Sequence, residues 1–142
     1  MDVPLRRLHD ATPVPAYATP GSVGFDLCTA EAADIEPGAI ELVGTGLVVA
    51  TPPGWCLLIC LRSSTPRRFG VLQPHGIGVV DEDYRGPEDE LRLQLLNFTP
   101  APVHIPAASR IAQGVFVRAG RATWCDHDAD DSSRGGFGST GA

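Results

Sequence analysis

The apolar residues of this chain fall into short runs, each closed by glycine, proline or a polar cluster. Residues 55–61, Trp-Cys-Leu-Leu-Ile-Cys-Leu, form an unbroken run. That pattern predicts a strand covered on both faces, because a strand with one wet face alternates. Leu91-Arg92-Leu93-Gln94-Leu95-Leu96 begins with such an alternation and ends at a turn, Asn97-Phe98-Thr99-Pro100. Residues 40–49 follow the turn Glu36-Pro37-Gly38 and predict a strand interrupted by Gly44 and Gly46, before Pro52-Pro53-Gly54 turns the chain again. Residues 103–106 and 109–117 predict two more strands. A single short helix is expected, over residues 64–69, since 3.6-residue periodicity is found nowhere else. The fold class expected is therefore all-β.

Composition sharpens this picture. The 16 Gly and 13 Pro are spread along all 142 residues, which breaks long helices and favours short strands joined by tight turns. The length suits one domain with its own core, here residues 1–125, followed by a polar linker and glycine-rich segment over 126–142. A formal charge of −6 argues against nucleic-acid binding through a broad basic surface, although a few arginines can still converge on phosphate. No apolar run approaches the roughly 20 residues of a membrane span, and the start lacks the apolar core of a secretion signal, so a cytoplasmic protein with no membrane partner is expected. Cys28, Cys56, Cys60 and Cys125 match no metal-ligand spacing and are expected to be buried and reduced. Cys56 and Cys60 would stand roughly 13 Å apart on one strand face, too far for a mutual disulfide.

Three segments carry candidate chemistry. Gly78-Val79-Val80-Asp81-Glu82-Asp83-Tyr84-Arg85-Gly86 sets three carboxylates and a tyrosine between glycines at a strand-turn corner, where a carboxylate can meet water or a cation. A solvated turn is the plainer alternative. Arg62-Ser63-Ser64-Thr65-Pro66-Arg67-Arg68 places arginines and hydroxyls at the end of the apolar run, a set suited to an anion or, more simply, to a capped helix. Arg134-Gly135-Gly136-Phe137-Gly138-Ser139-Thr140-Gly141 reads as a flexible tail by composition, yet its glycines allow a lid whose backbone N–H groups close around phosphate.

Taken in order, five segments resemble the motifs of the trimeric dUTP diphosphatase (dUTPase) family. They are Pro20-Gly21-Ser22-Val23-Gly24-Phe25-Asp26-Leu27, Arg62-Ser63-Ser64, the acidic corner over 78–86, Arg110-Ile111-Ala112-Gln113, and the glycine-rich tail. The resemblance implies a homotrimer of jelly-roll-like subunits that hydrolyses dUTP to dUMP and pyrophosphate with Mg²⁺, at active sites shared between subunits. It implies Asp81 as the carboxylate that activates the attacking water. Tyr84 would pack on the deoxyribose, and the hairpin containing His75, Gly78 and Val80 would read uracil through its backbone. Arg62, Ser63, Ser64 and Gln113 match phosphate-side positions, and Arg62 also holds the acidic motif. Asp26 matches a carboxylate that meets the metal through water. Phe137 would cover the base, while Arg134, Ser139 and Thr140 would contact the phosphates.

The sequence departs from the family pattern at several places. Only two residues separate Arg134 from Phe137, Ala108-Ser109 replaces a common Gly-Asp before Arg110, Leu61 replaces a frequent proline, and Pro87-Glu88-Asp89 reads as an insertion lengthening a hairpin. Two alternatives stand beside hydrolysis. One is a nucleotide-binding regulator without turnover. The other is dCTP deamination, disfavoured because Gln94 occupies the place of that enzyme's catalytic glutamate.

Overall fold

The structure is a computed structural model and describes residues 1–126. Within them eleven strands and one helix follow in order: β1 Leu5–Arg7, β2 Phe25–Cys28, β3 Ala33–Ile35, β4 Ile40–Gly44, β5 Leu47–Val49, β6 Trp55–Leu61, α1 Thr65–Phe69, β7 Val71–Leu72, β8 Gly78–Val80, β9 Arg92–Asn97, β10 Val103–Ile105 and β11 Arg110–Arg118. The all-β expectation holds. Every strand pairing is antiparallel, and the largest sheet has the order β2-β11-β6-β8. A three-stranded sheet, β4-β9-β7, and two strand pairs, β1-β5 and β10-β3, complete the described part.

The core lies between these sheets. Leu27, Leu57, Leu93, Leu95, Ile35, Ile105 and Ile111 are all buried to 1 % exposure or less. Each such side chain contributes about 1.5–3 kcal/mol through removal from water. Alternation decides which residues these are: on β9, Leu93 and Leu95 point inward while Arg92 and Gln94 do not. The helix is one turn long because Pro66 opens it and Gly70, left-handed at φ +67°, closes it.

Residues 40–49 break where expected, and two other expectations need correction. The break divides them into two strands, because Gly46 turns left-handed at φ +68° and redirects the chain between β4 and β5. The run over 55–61 is covered on one face only. Leu57 and Ile59 are buried, whereas Cys56, Leu58 and Cys60 on the other face are half-buried. For the same reason the cysteines are not fully buried: Cys28, Cys56 and Cys60 are intermediate, Cys125 is exposed, and all four are free thiols. Among the described residues no helix is long and apolar enough to cross a membrane.

Candidate active site

Two groups of predicted residues gather at opposite ends of β6. The first surrounds a cleft of about 250 Å³ whose lining includes His75, Gly78, Val80, Asp81 and Tyr84. Its floor is a hairpin. Gly76, left-handed at φ +79°, donates its N–H to the Gln73 carbonyl at 3.0 Å and turns the chain into β8, which pairs with β6 through Gly78↔Ile59 and Val80↔Leu57. The Gln73 side chain secures this turn from below: its Nε2 donates to the Ile59 carbonyl at 3.2 Å and lies 3.1 Å from His75 Nε2. The hairpin thus presents backbone groups to the cleft while side-chain amides hold its base.

After Val80 the chain leaves the sheet, and its three carboxylates diverge in use. Glu82 accepts the Gly54 N–H at 3.0 Å and pairs with Arg121 at 3.3 Å. Asp83 caps a local turn through its carbonyl, which accepts the Arg85 N–H at 2.9 Å. Asp81 is exposed, lines the cleft, and among the described residues its carboxylate has neither a hydrogen bond nor an ion pair. Tyr84 stands across the same cleft, its hydroxyl donating to the Glu90 carbonyl at 3.0 Å.

The second group sits at the far end of β6. Asp26 on β2 and Cys60 on β6 are both register partners of Gln113 on β11, so Asp26, Gln113 and Cys60 form one row on the outer face of the large sheet. Arg62 follows two residues later, and its Nε lies 3.2 Å from Asp26 Oδ1. Arg110 reaches the other oxygen, Oδ2, also at 3.2 Å. The Asp26 side chain is only 10 % exposed, so its charge is matched by two guanidinium groups rather than by bulk water. Nearby, burial and the charge of Asp26 push the Cys28 thiol up, against the opposing pull of Arg110 and Arg62. Ser63 and Ser64 are exposed, and Ser64 begins α1 without spending its hydroxyl on a cap. The capped-helix account of these serines therefore fails.

Register fixes how far apart the two groups lie. Val80 pairs with Leu57, so Asp81 stands level with Cys56, and Arg62 is six residues further along the same strand. At the usual strand rise the separation is about 20 Å. Within one chain, then, Asp81 and Tyr84 are not brought to Arg62, Ser63, Ser64, Gln113 and Asp26. Arg134, Phe137, Ser139 and Thr140 lie outside the described residues.

The chain matches the family model described as dUTPase over residues 10–141. It is 43 % identical over 143 residues to the deoxyuridine 5'-triphosphate nucleotidohydrolase of Thermobifida fusca, spanning 98 % of this chain and 78 % of that protein. It is 40 % identical over 144 residues to the enzyme of the same name from Wolinella succinogenes, spanning 99 % and 95 %. Among solved structures, the dUTPase from Streptococcus mutans superposes with a TM-score of 0.80 at 32 % identity, covering 87 % of this chain and all of that one. The chain belongs to the dUTPase family, and its antiparallel architecture is the jelly-roll-like β fold of those structures.

Three residues of the site escaped sequence reasoning: Gln73 beneath the hairpin, Arg110 on Asp26, and Glu90 behind Tyr84. Only for Arg110 did a signal exist, as the basic residue opening a predicted strand. The other two act through backbone groups that meet only after folding.

Proposed function

We propose that Asp81 activates the water that attacks the α-phosphorus of dUTP, in a site assembled between copies of this chain. The activity is that of the family: the chain is a dUTP diphosphatase, releasing dUMP and pyrophosphate. The observation that carries the role of Asp81 is its carboxylate, which has no partner among the described residues, in a cleft walled by the hairpin and Tyr84. An ionised carboxylate free to accept from water is a workable general base. The hairpin backbone would read the uracil edge, with His75, Gly78 and Val80 around it, and Tyr84 would face the sugar. At the other end of β6, Ser63, Ser64 and Gln113 would contact the phosphates, with Arg134, Ser139 and Thr140 of the tail joining them and Phe137 covering the base.

The gap of about 20 Å along β6 favours a homotrimer with shared sites, because a water held by Asp81 must lie beside the phosphates that Ser63, Ser64 and Gln113 would contact. The outer face of the large sheet favours it as well. Val79, 62 % exposed, lies in register with Leu58 and Val115, an apolar row flanked by half-buried Cys56 and Cys60. A second copy would cover it and account for the apolar character of both faces of β6.

The donor set suits Mg²⁺ carried on the nucleotide. Both oxygens of Asp26 already face arginines, and among the described residues no cluster of three His, Cys, Asp or Glu assembles. That fits an ion held chiefly by phosphate oxygens and water, with Asp26 reached through water. When bound, Mg²⁺ neutralises triphosphate charge that would repel the nucleophile. We place the enzyme in the cytoplasm, with its nucleotide substrate.

Pyrophosphate release from dUTP, dCTP, dTTP and UTP, with and without Mg²⁺, tests this reading. Mg²⁺-dependent release from dUTP alone is expected. Tight binding without release would favour the regulator, and ammonia from dCTP the deaminase.

A further inference from the structure

We infer that Glu90 is a positioning residue for Tyr84, and that through it the turn between β4 and β5 sets how strongly the cleft prefers a deoxyribose over a ribose. The inference rests on the reading above that Tyr84 faces the sugar.

Glu90 sits between the Pro87-Glu88-Asp89 insertion and β9. Its side chain, 14 % exposed, reaches the backbone between β4 and β5. There Oε1 accepts the Gly46 N–H at 2.7 Å, and Oε2 accepts Arg92 Nε at 3.1 Å. The carboxylate lies close over Gly44, where an added Cβ would crowd Oε1. The carboxylate is thus seated between two N–H donors.

The main chain of the same residue does the other half. Its carbonyl accepts the Tyr84 hydroxyl at 3.0 Å. That carbonyl is held from two directions, by the Glu90 side chain seated on Gly46 and Arg92 and by the next residue, Leu91, whose backbone is tied at both ends. Its N–H donates to the Leu47 carbonyl at 2.8 Å, and its own carbonyl accepts both the Thr45 N–H and the Thr45 hydroxyl. Tyr84, in contrast, sits in a loop and is 42 % exposed, so little packing restrains its ring. The hydroxyl bond to a carbonyl fixed by the core is what holds the ring at one depth in the cleft. A carboxylate serves better than an amide here, since both its oxygens face N–H donors and an amide offers an acceptor to only one.

The test compares kcat/KM for dUTP and UTP across wild type, Glu90→Ala, Glu90→Gln, Tyr84→Phe, Tyr84→Ala and the double variant Glu90→Ala/Tyr84→Phe. Glu90→Ala should lower the preference for dUTP by about tenfold, the order of effect expected from a group displaced by less than an ångström. Tyr84→Phe should shift the preference in the same direction, Glu90→Gln should retain most of it, and the double variant should add nothing to Glu90→Ala. A parallel fall for both nucleotides in Glu90→Ala, with their ratio unchanged, would overturn the inference. So would an unaltered ratio in Tyr84→Phe if Glu90→Ala does not fold. An unchanged ratio in Tyr84→Ala would instead locate the failure in the role given to Tyr84.

Discussion

Asp26 and Asp81 are the same side chain at opposite ends of one sheet, and the fold uses them in opposite ways. Asp26 is nearly buried, with each oxygen held 3.2 Å from an arginine, so its charge goes into joining β2, β6 and β11. Asp81 projects beyond the end of β8, where the chain has left the ladder, and the neighbouring Glu82 carboxylate takes the structural bonds. A carboxylate held by two guanidinium groups is poorly placed to take a proton from water, even where it still meets a water. One with its hydrogen-bonding capacity open can accept that proton. The comparison separates a carboxylate spent on holding strands together from the one proposed to activate water.

The sharpest way to break that distinction is to neutralise Asp81. Asp81→Asn preserves shape and removes the base, and should lower turnover by about 10²–10⁴-fold with nucleotide binding kept. Single-turnover kinetics beside dUTP titration would check it, and near-normal turnover would reject the role. Truncation before Arg134 comes next. It should cost about ten- to a hundredfold in kcat/KM, as expected for lost phosphate contacts, without loss of the folded core. Circular dichroism and the same assay measure both halves of that statement.

The structural side of the contrast should emerge in denaturation rather than kinetics. Arg62→Ala leaves Asp26 short of one partner and should cost about 1–3 kcal/mol in urea unfolding. Asp81→Ala should change stability by no more than about 0.5 kcal/mol in the same experiment. Equal losses would erase the difference between the two ends. A small effect of opposite sign concerns Ala108, the one non-glycine residue with positive φ among the described residues, at +58°. It stands where the family commonly has glycine, just before Arg110. Ala108→Gly should stabilise the fold by about 0.5–1 kcal/mol by relieving a left-handed alanine, measurable as a raised unfolding midpoint.

How much of this could be read from the chain follows from length. β6, β9 and β11 are six to nine residues long and announced themselves through apolar runs and alternation. β1, β3 and β7 are two or three residues long, too short to display a period, and β2 was hidden behind a glycine-rich turn. The site divides in the same manner. Asp81, Tyr84 and the Arg62-Ser63-Ser64 group lie within contiguous motifs. The ion pair between Asp26 and Arg110 spans 84 positions, and the anchoring of Tyr84 passes through a backbone carbonyl, which no side-chain pattern encodes. The half-exposed face of β6 escaped for a further reason: an unbroken apolar run signals that both faces want cover, without saying whether the cover comes from the same chain.

That last point is where the account is most exposed, and subunit mixing tests it directly. Asp81→Asn disables one end of β6, and a combined Ser63→Ala/Ser64→Ala/Gln113→Ala variant disables the other. Each alone should be poorly active. Dissociated together and reassembled, they should regain dUTP hydrolysis well above the average of the two, since some sites would pair an intact Asp81 with an intact phosphate end from a neighbour. Activity that stays at that average would contradict a site built across copies of the chain.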